Sequence, residues 1–253
     1  MRMCPYRGDE VRPAIHLCAA VVLAALACTI AAATAGAEPG APLRIGHYSS
    51  GNGMIGFVLD RLGTPIKLRF DGSDEILALT PERAPYDSMT LKRDDGNGIL
   101  RIYPNGQVLV FHQNLAGGSA RAYRDQDAQP LTVKAATKTQ AQADAAALGP
   151  KLKRGGVTLA ITLEAPSLGD KSDGWSAMAD AVAVAGTTLG AMLESAIARE
   201  TIAEKLRRVV IRDAGRIDIK LEDTTLVVEI AADQPITGRP SSARLRSVIE
   251  DLL

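Results

Sequence analysis

Across residues 43–124, short apolar or alternating runs recur every eight to twelve positions, with turn-forming residues between them. That spacing predicts an antiparallel meander. The runs predict strands at 43–49, 55–61, 66–70, 75–80, 88–92, 99–103 and 108–112. Asn105-Gly106 lies between two of them, and both residues tolerate the positive φ that a two-residue type I′ hairpin requires. Asp94-Asp95-Gly96-Asn97-Gly98 predicts a looser turn. Strands that follow one another in this way predict one sheet, arranged as a small sandwich or an open barrel.

Residues 125–156 read differently, with Gln, Ala, Thr and Lys replacing β-branched and aromatic residues. They predict a linker ending in a helix at 140–148, which Gly149-Pro150 would stop. A strand at 157–164 and a loop at 166–173 follow. From Trp175 the chain is helically periodic: Trp175, Met178, Val182, Leu189, Met192 and Ile197 fall on one face, with Asp173 as N-cap. Ala181, Ala183, Ala185, Gly186 and Gly190 keep that helix slim, and Asp180 argues for burial in protein over a membrane setting. Strands at 209–212, 217–221 and 226–230 are joined by turns at Ala214-Gly215 and Glu222-Asp223. A last helix at 242–252 turns Leu245, Val248, Ile249 and Leu252 inward and is capped by Ser241 or Ser242. The fold class is therefore α+β: an antiparallel β-meander, then an α+β region with a three-stranded antiparallel sheet and packed helices. The expected divisions are 43–124, 125–156 and 157–253.

The first 37 residues change the picture of where the protein works. Arg2, Arg7 and Arg12 precede an uncharged run from Ala14 to Ala33, and Ala35-Gly36-Ala37 offers the small-x-small pattern of a signal-peptidase site. This predicts export to the periplasm or medium, with cleavage between Ala37 and Glu38. An uncleaved anchor and a lipoprotein acylated at Cys28 are the weaker readings, since the run is alanine-rich and interrupted by His16, and Leu26 is poorly placed for a lipid-acceptor site. All three cysteines, Cys4, Cys18 and Cys28, lie in this leader. The exported chain would carry no disulfide or thiolate ligand.

Charge narrows the partners. The 29 basic and 29 acidic residues cancel over the whole chain, and they nearly balance without the leader. Nucleic acid and anionic lipid need a concentrated basic face, so neither is an expected partner. No transmembrane span is expected in the mature chain.

Four patterns invite chemical readings. Gly51-Asn52-Gly53-Met54-Ile55-Gly56 with Asp71 outlines a dinucleotide-binding turn, but the next residues favour a strand over the helix that would hold a pyrophosphate. Asp94 to Gly98 resembles a calcium loop until the closing carboxylate is sought, where Pro104 stands instead. His47 and His112 are too few for a closed zinc site, although they could join carboxylates in an open one if strands brought them together. No G-x-S-x-G elbow supports a nucleophilic serine. No cofactor or metal is expected. Asp71, Asp74 and Glu75 form the densest acidic cluster and would be the candidate acids of a hydrolase.

Two further stretches carry a resemblance: Phe57-Val58-Leu59-Asp60-Arg61 through Leu68-Arg69-Phe70-Asp71-Gly72-Ser73 to Leu79, and Gly238-Arg239-Pro240-Ser241-Ser242. Together they resemble an alphaproteobacterial family of exported proteins that is known only as a domain of unknown function. The resemblance implies a bacterial envelope setting and one unit over most of the mature chain; it implies no substrate and no catalytic residue. Physically, Gly238 to Ser242 predicts a loop entering a helix, where an arginine beside free amides can hold an anion. Arg239, Ser241 and Ser242 are thus the candidate binding residues. The leading expectation is a non-catalytic protein that binds a small ligand or an envelope component. A hydrolase of envelope glycan or peptide and an assembly module are the alternatives.

Overall fold

The computed structural model describes residues 45–153, 157–170 and 172–252. The expected leader, with Cys4, Cys18 and Cys28 and the expected cleavage position between Ala37 and Glu38, lies outside these residues. Eight strands come first: β1 (Ile45–Ser50), β2 (Gly56–Asp60), β3 (Ile66–Phe70), β4 (Leu77–Ala84), β5 (Ser88–Lys92), β6 (Gly98–Ile102), β7 (Val108–Phe111) and β8 (Ser119–Gln126). Each pairs antiparallel with the next, and β8 returns to β1. The meander therefore closes into a barrel, correcting the expectation of a sandwich or an open barrel. β8 carries few apolar residues, with Ala122 its one fully buried position, so hydrophobic alternation does not announce it.

Inward-facing Phe57, Leu59, Leu68, Leu79, Leu91, Leu100 and Val110 are essentially inaccessible to solvent. Tyr48 stacks on Phe57 at 5.4 Å between ring centres. An eight-stranded barrel is just wide enough for side chains to fill it, so this lumen is a core. Local turn chemistry departs from expectation in two places. At Asn105-Gly106 only Gly106 takes positive φ (81°), and Tyr103 and Gln107 pair across a three-residue loop. The Gly51–Gly56 stretch is a strand-to-strand turn in which Ser50 N–H donates to Ile55 O at 2.8 Å, and no helix follows it to hold a pyrophosphate.

Among the described residues the second half has four helices, α1 (Lys138–Lys151), α2 (Gly174–Met192), α3 (Ala196–Lys205) and α4 (Ser242–Leu252), and strands β9 (Ala160–Glu164), β10 (Arg208–Asp213), β11 (Asp218–Glu222) and β12 (Thr225–Ile230). The sheet order is β11-β12-β10-β9. It has four strands and is mixed, correcting the three-stranded antiparallel expectation: β10 runs parallel to both β9 and β12, and only β11–β12 is an antiparallel pair. The reason is legible in β10, whose Val209, Val210 and Ile211 are all buried. A continuous apolar run belongs to a central strand covered on both faces.

Helix boundaries also shift. α1 passes through Gly149-Pro150 to Lys151, and Leu152 N–H still reaches Leu148 O at 3.0 Å. Asp173 makes no side-chain cap; Ser172 Oγ accepts from Gly174 N–H at 3.2 Å instead. The predicted long helix breaks at Ser195, which caps α3. The break turns Ile197 out to solvent, while Trp175, Met178, Val182, Leu189 and Met192 remain in the core. The slim face of α2 receives α1: a Cβ at Gly186 would lie 2.8 Å from Leu148 Cδ1. Among the described residues, no helix is long and apolar enough to cross a membrane.

Candidate functional site

The predicted candidate residues separate into two places. Near the barrel's junction with α4, Glu75 accepts from Ser242 N–H at 2.8 Å and from Ser242 Oγ at 2.5 Å. Asp94 accepts from Ser241 N–H at 2.8 Å. Arg239 is almost wholly buried. Its Nε donates to Asp180 Oδ2 at 2.5 Å and its Nη2 donates to Ile76 O at 3.1 Å, while Nη1 stands 3.7 Å from Glu75. Burial pushes the Asp180 carboxyl upward, against the downward pull of Arg239. The donors of Arg239, Ser241 and Ser242 that would have met an anion thus meet the protein's own carboxylates and carbonyls. They lock the barrel to α2 and α4.

The acidic cluster does not converge. Glu75 belongs to that joint and Asp74 is exposed. Asp71 turns instead to the outer wall of the barrel, where His47 Nε2 lies 2.9 Å from its Oδ2. The other ring nitrogen, Nδ1, lies 2.7 Å from Asp125 Oδ1, and Ser49 Oγ donates to Asp125 Oδ2 at 2.5 Å. Asp125 reaches His47 because the β1–β8 register slips there: His47 faces Gln126 and Tyr48 faces Arg124, so Asp125 is the extra residue of a bulge. Bulges re-aim side chains in this way. Gly56 supplies the room, since a Cβ there would lie 1.9 Å from Asp71 Oδ2. The sequence reading missed Asp125, which it placed in the linker; an acid directly after an alternating segment was the available signal.

Burial works to lower the His47 pKa, but hydrogen bonds and charge from Asp125 and Asp71 outweigh it and raise the imidazole above its ordinary value. Asp125 is held below the usual carboxylate range, first by the Ser49 hydroxyl and then by His47. A histidine with a carboxylate on each nitrogen is an imidazolium clamp. It offers no free nitrogen to activate a nucleophile, and carboxylates on opposite ring edges cannot converge on one ion. His112 is elsewhere, with Nδ1 accepting from Asn114 N–H at 3.1 Å and its ring against Phe70.

Beside this clamp the wall is hollowed. His47, Val58 and Arg69 stand in register across β1, β2 and β3, and residues 126–132 cross in front of them. Together they line a cleft of about 390 Å³. Buried Asp60 latches the crossing segment: its carboxylate accepts from Leu131 N–H at 3.0 Å, and Lys67 Nζ bridges Asp60 at 3.3 Å and Leu131 O at 2.8 Å. Desolvation would raise the Asp60 pKa, yet the amides of Leu62 and Leu131 and the charge of Lys67 hold it low. Val58 and Leu131 meet in a small outer core, which explains why the two faces of β2 are both covered. Arg69 is exposed, and among the described residues it has no acidic partner.

Fold and cleft together define a filled β-barrel locked to a mixed α/β layer, with its open concavity on the barrel's outer wall. Residues 28–249 match the family described as "Domain of unknown function (DUF4908)", and the chain belongs to that family. No curated protein and no solved structure matches the chain.

Proposed function

We propose that the chain is an exported, non-catalytic binding protein that holds a small anionic ligand in the cleft between β1–β3 and residues 126–132. The observation that carries this reading is Arg69, a guanidinium with no acidic partner among the described residues, beside an apolar floor of Val58 and Leu131. Ligand pockets pair apolar lining with a few polar groups in this manner, and a guanidinium fork matches carboxylate or phosphate geometry. The clamped His47 and the dispersed Asp71, Asp74 and Glu75 supply no acid–base pair, which sets the hydrolase reading behind. The basic lead, apolar run and Ala35-Gly36-Ala37 support export to the periplasm or medium.

Native and denaturing mass spectrometry of protein taken from its producing cells tests both parts. A denatured mass starting at Glu38 with a heavier native species is the expected result, and Arg69→Gln should abolish the retained mass. Retention unchanged in Arg69→Gln would remove the cleft from the proposal. A mass bearing an acylated Cys28 would replace export as a free protein by lipid anchoring. Cleavage of a glycan or peptide that disappears in Asp71→Asn would establish the hydrolase instead.

A further inference from the structure

The parallel part of the second sheet opens a crevice of its own, remote in sequence from Arg69 and His47. In open α/β sheets, ligands settle outside the carboxyl ends of parallel strands, where the connections part. Here Leu163 to Pro166 leave β9, and Arg212 and Asp213 close β10. With Lys138 of α1 and Trp175 of α2 they surround a cavity of about 480 Å³, within the size range of metabolite sites.

Each acid at this cavity is already held by a donor of the fold. Asp213 is engaged at both oxygens: Oδ2 accepts from the Ser167 hydroxyl, and Oδ1 accepts from Ala232 N–H at 3.2 Å. Glu164 Oε2 is taken by Arg212 Nε at 2.8 Å. Asp170 is highly exposed and holds Lys138 Nζ at 2.7 Å. The two bases keep donors in hand. Lys138 has three and gives one to Asp170. Arg212 has five, and beyond its bond to Glu164 its nearest acid oxygen, on Glu229, is 3.8 Å away. Trp175, the single tryptophan of the chain, forms the apolar wall; its Nε1 donates to Gly169 O at 2.9 Å, and Lys138 stands over its ring at 5.8 Å. The indole is thereby fixed in orientation.

We infer that this crevice is a second binding site, for a metabolite-sized organic acid whose flat apolar body lies toward Trp175 and whose carboxylate takes the spare donors of Lys138 and Arg212. The inference stands independently of the barrel cleft.

Trp175 reports on the site directly. Titrating the full chain with benzoate should give a saturable change in tryptophan emission, matched by heat in calorimetry. Benzyl alcohol, with the same ring but no charge, should bind at least about tenfold more weakly, the factor expected for a lost charge-assisted hydrogen bond. Arg212→Gln and Lys138→Gln should each weaken benzoate by about tenfold with the far-ultraviolet circular dichroism unchanged. If Arg212→Gln loses its fold, Lys138→Gln, at the first position of α1, decides. No saturable signal or heat from benzoate into the millimolar range, equal binding of the alcohol, or unaltered affinity in Lys138→Gln would overturn the assignment.

Discussion

Glu75 and Ser242, 167 residues apart, are joined by two hydrogen bonds, the carboxylate taking both the backbone N–H and the hydroxyl of the serine. Ser242 is the first residue of α4, so a barrel side chain satisfies a donor at a helix N-terminus and places negative charge at the positive end of the helix dipole. Ser241 completes the end, its Oγ accepting from Arg244 N–H at 3.2 Å. The helix is thus capped partly by another part of the fold, which couples its formation to closure of the joint.

Ser242→Ala should lower unfolding stability by about 1–2 kcal/mol, and Glu75→Ala by about 2–3 kcal/mol because the backbone amide is also left unpaired. The double variant should cost less than the sum, since both changes remove the same bond. Urea unfolding of the four proteins measures the coupling. Additive losses would mean that the pair makes no contribution of its own.

The turn before α4 carries a steric argument. A Cβ at Gly238 would lie 2.0 Å from Ala231 O and 2.5 Å from Gln234 O, backbone atoms that cannot swing aside. Gly238→Ala should therefore cost about 2 kcal/mol or more. Arg239→Met leaves Asp180 and Glu75 beside an apolar neighbour, and removing one partner of a buried pair costs about 3–5 kcal/mol. Thermal unfolding should show both variants well below the wild type, with Arg239→Met the lower if burial of charge dominates over backbone strain.

Much of the barrel was legible because β1 to β7 are short apolar or alternating runs set off by turn residues. Its closure was not, since β8 contributes Ala122 where the other strands contribute larger apolar side chains, and a polar closing strand looks like a linker. The second sheet was legible as strands but not as an order: hairpin turns at Ala214-Gly215 and Asp223 suggest neighbours, whereas the buried faces of β10 demand that β12 be inserted beside it. The candidate residues show the same limit. Glu75 and Ser242 were each visible as polar groups at a turn and a cap, yet periodicity holds no information about two segments that meet only in three dimensions.

His47 makes stability depend on pH with a definite sign. Its folded pKa is raised above the ordinary value of 6.5, so the clamp's contribution is fully present below that value and is lost as pH rises through the folded pKa. When the ring is neutral, one bare nitrogen faces a carboxylate. Relative to His47→Gln, the wild type should lose stability as pH rises from below 6.5 through the folded midpoint of the imidazole. A nuclear magnetic resonance titration of the imidazole should show a midpoint above 6.5; one below it would contradict the clamp.

Gly56 permits a test of the clamp that leaves both of its charged partners in the sequence. A Cβ at this position would meet Asp71 Oδ2 at 1.9 Å and Cγ at 2.8 Å, and would come to 3.3 Å from His47 Nε2. Asp71 is a half-exposed side chain and can rotate away, so Gly56→Ala should keep the barrel folded, with a stability loss of no more than about 1 kcal/mol. The displaced carboxylate would no longer favour the imidazolium, and the His47 midpoint should fall toward its ordinary value, as it should in Asp71→Asn. Combining Gly56→Ala with Asp71→Asn should add little, because both act through one contact. An unmoved His47 midpoint in Gly56→Ala would show that the glycine serves the strand alone, whereas a shared and non-additive fall would show that the residue without a side chain sets the charge state of its neighbour.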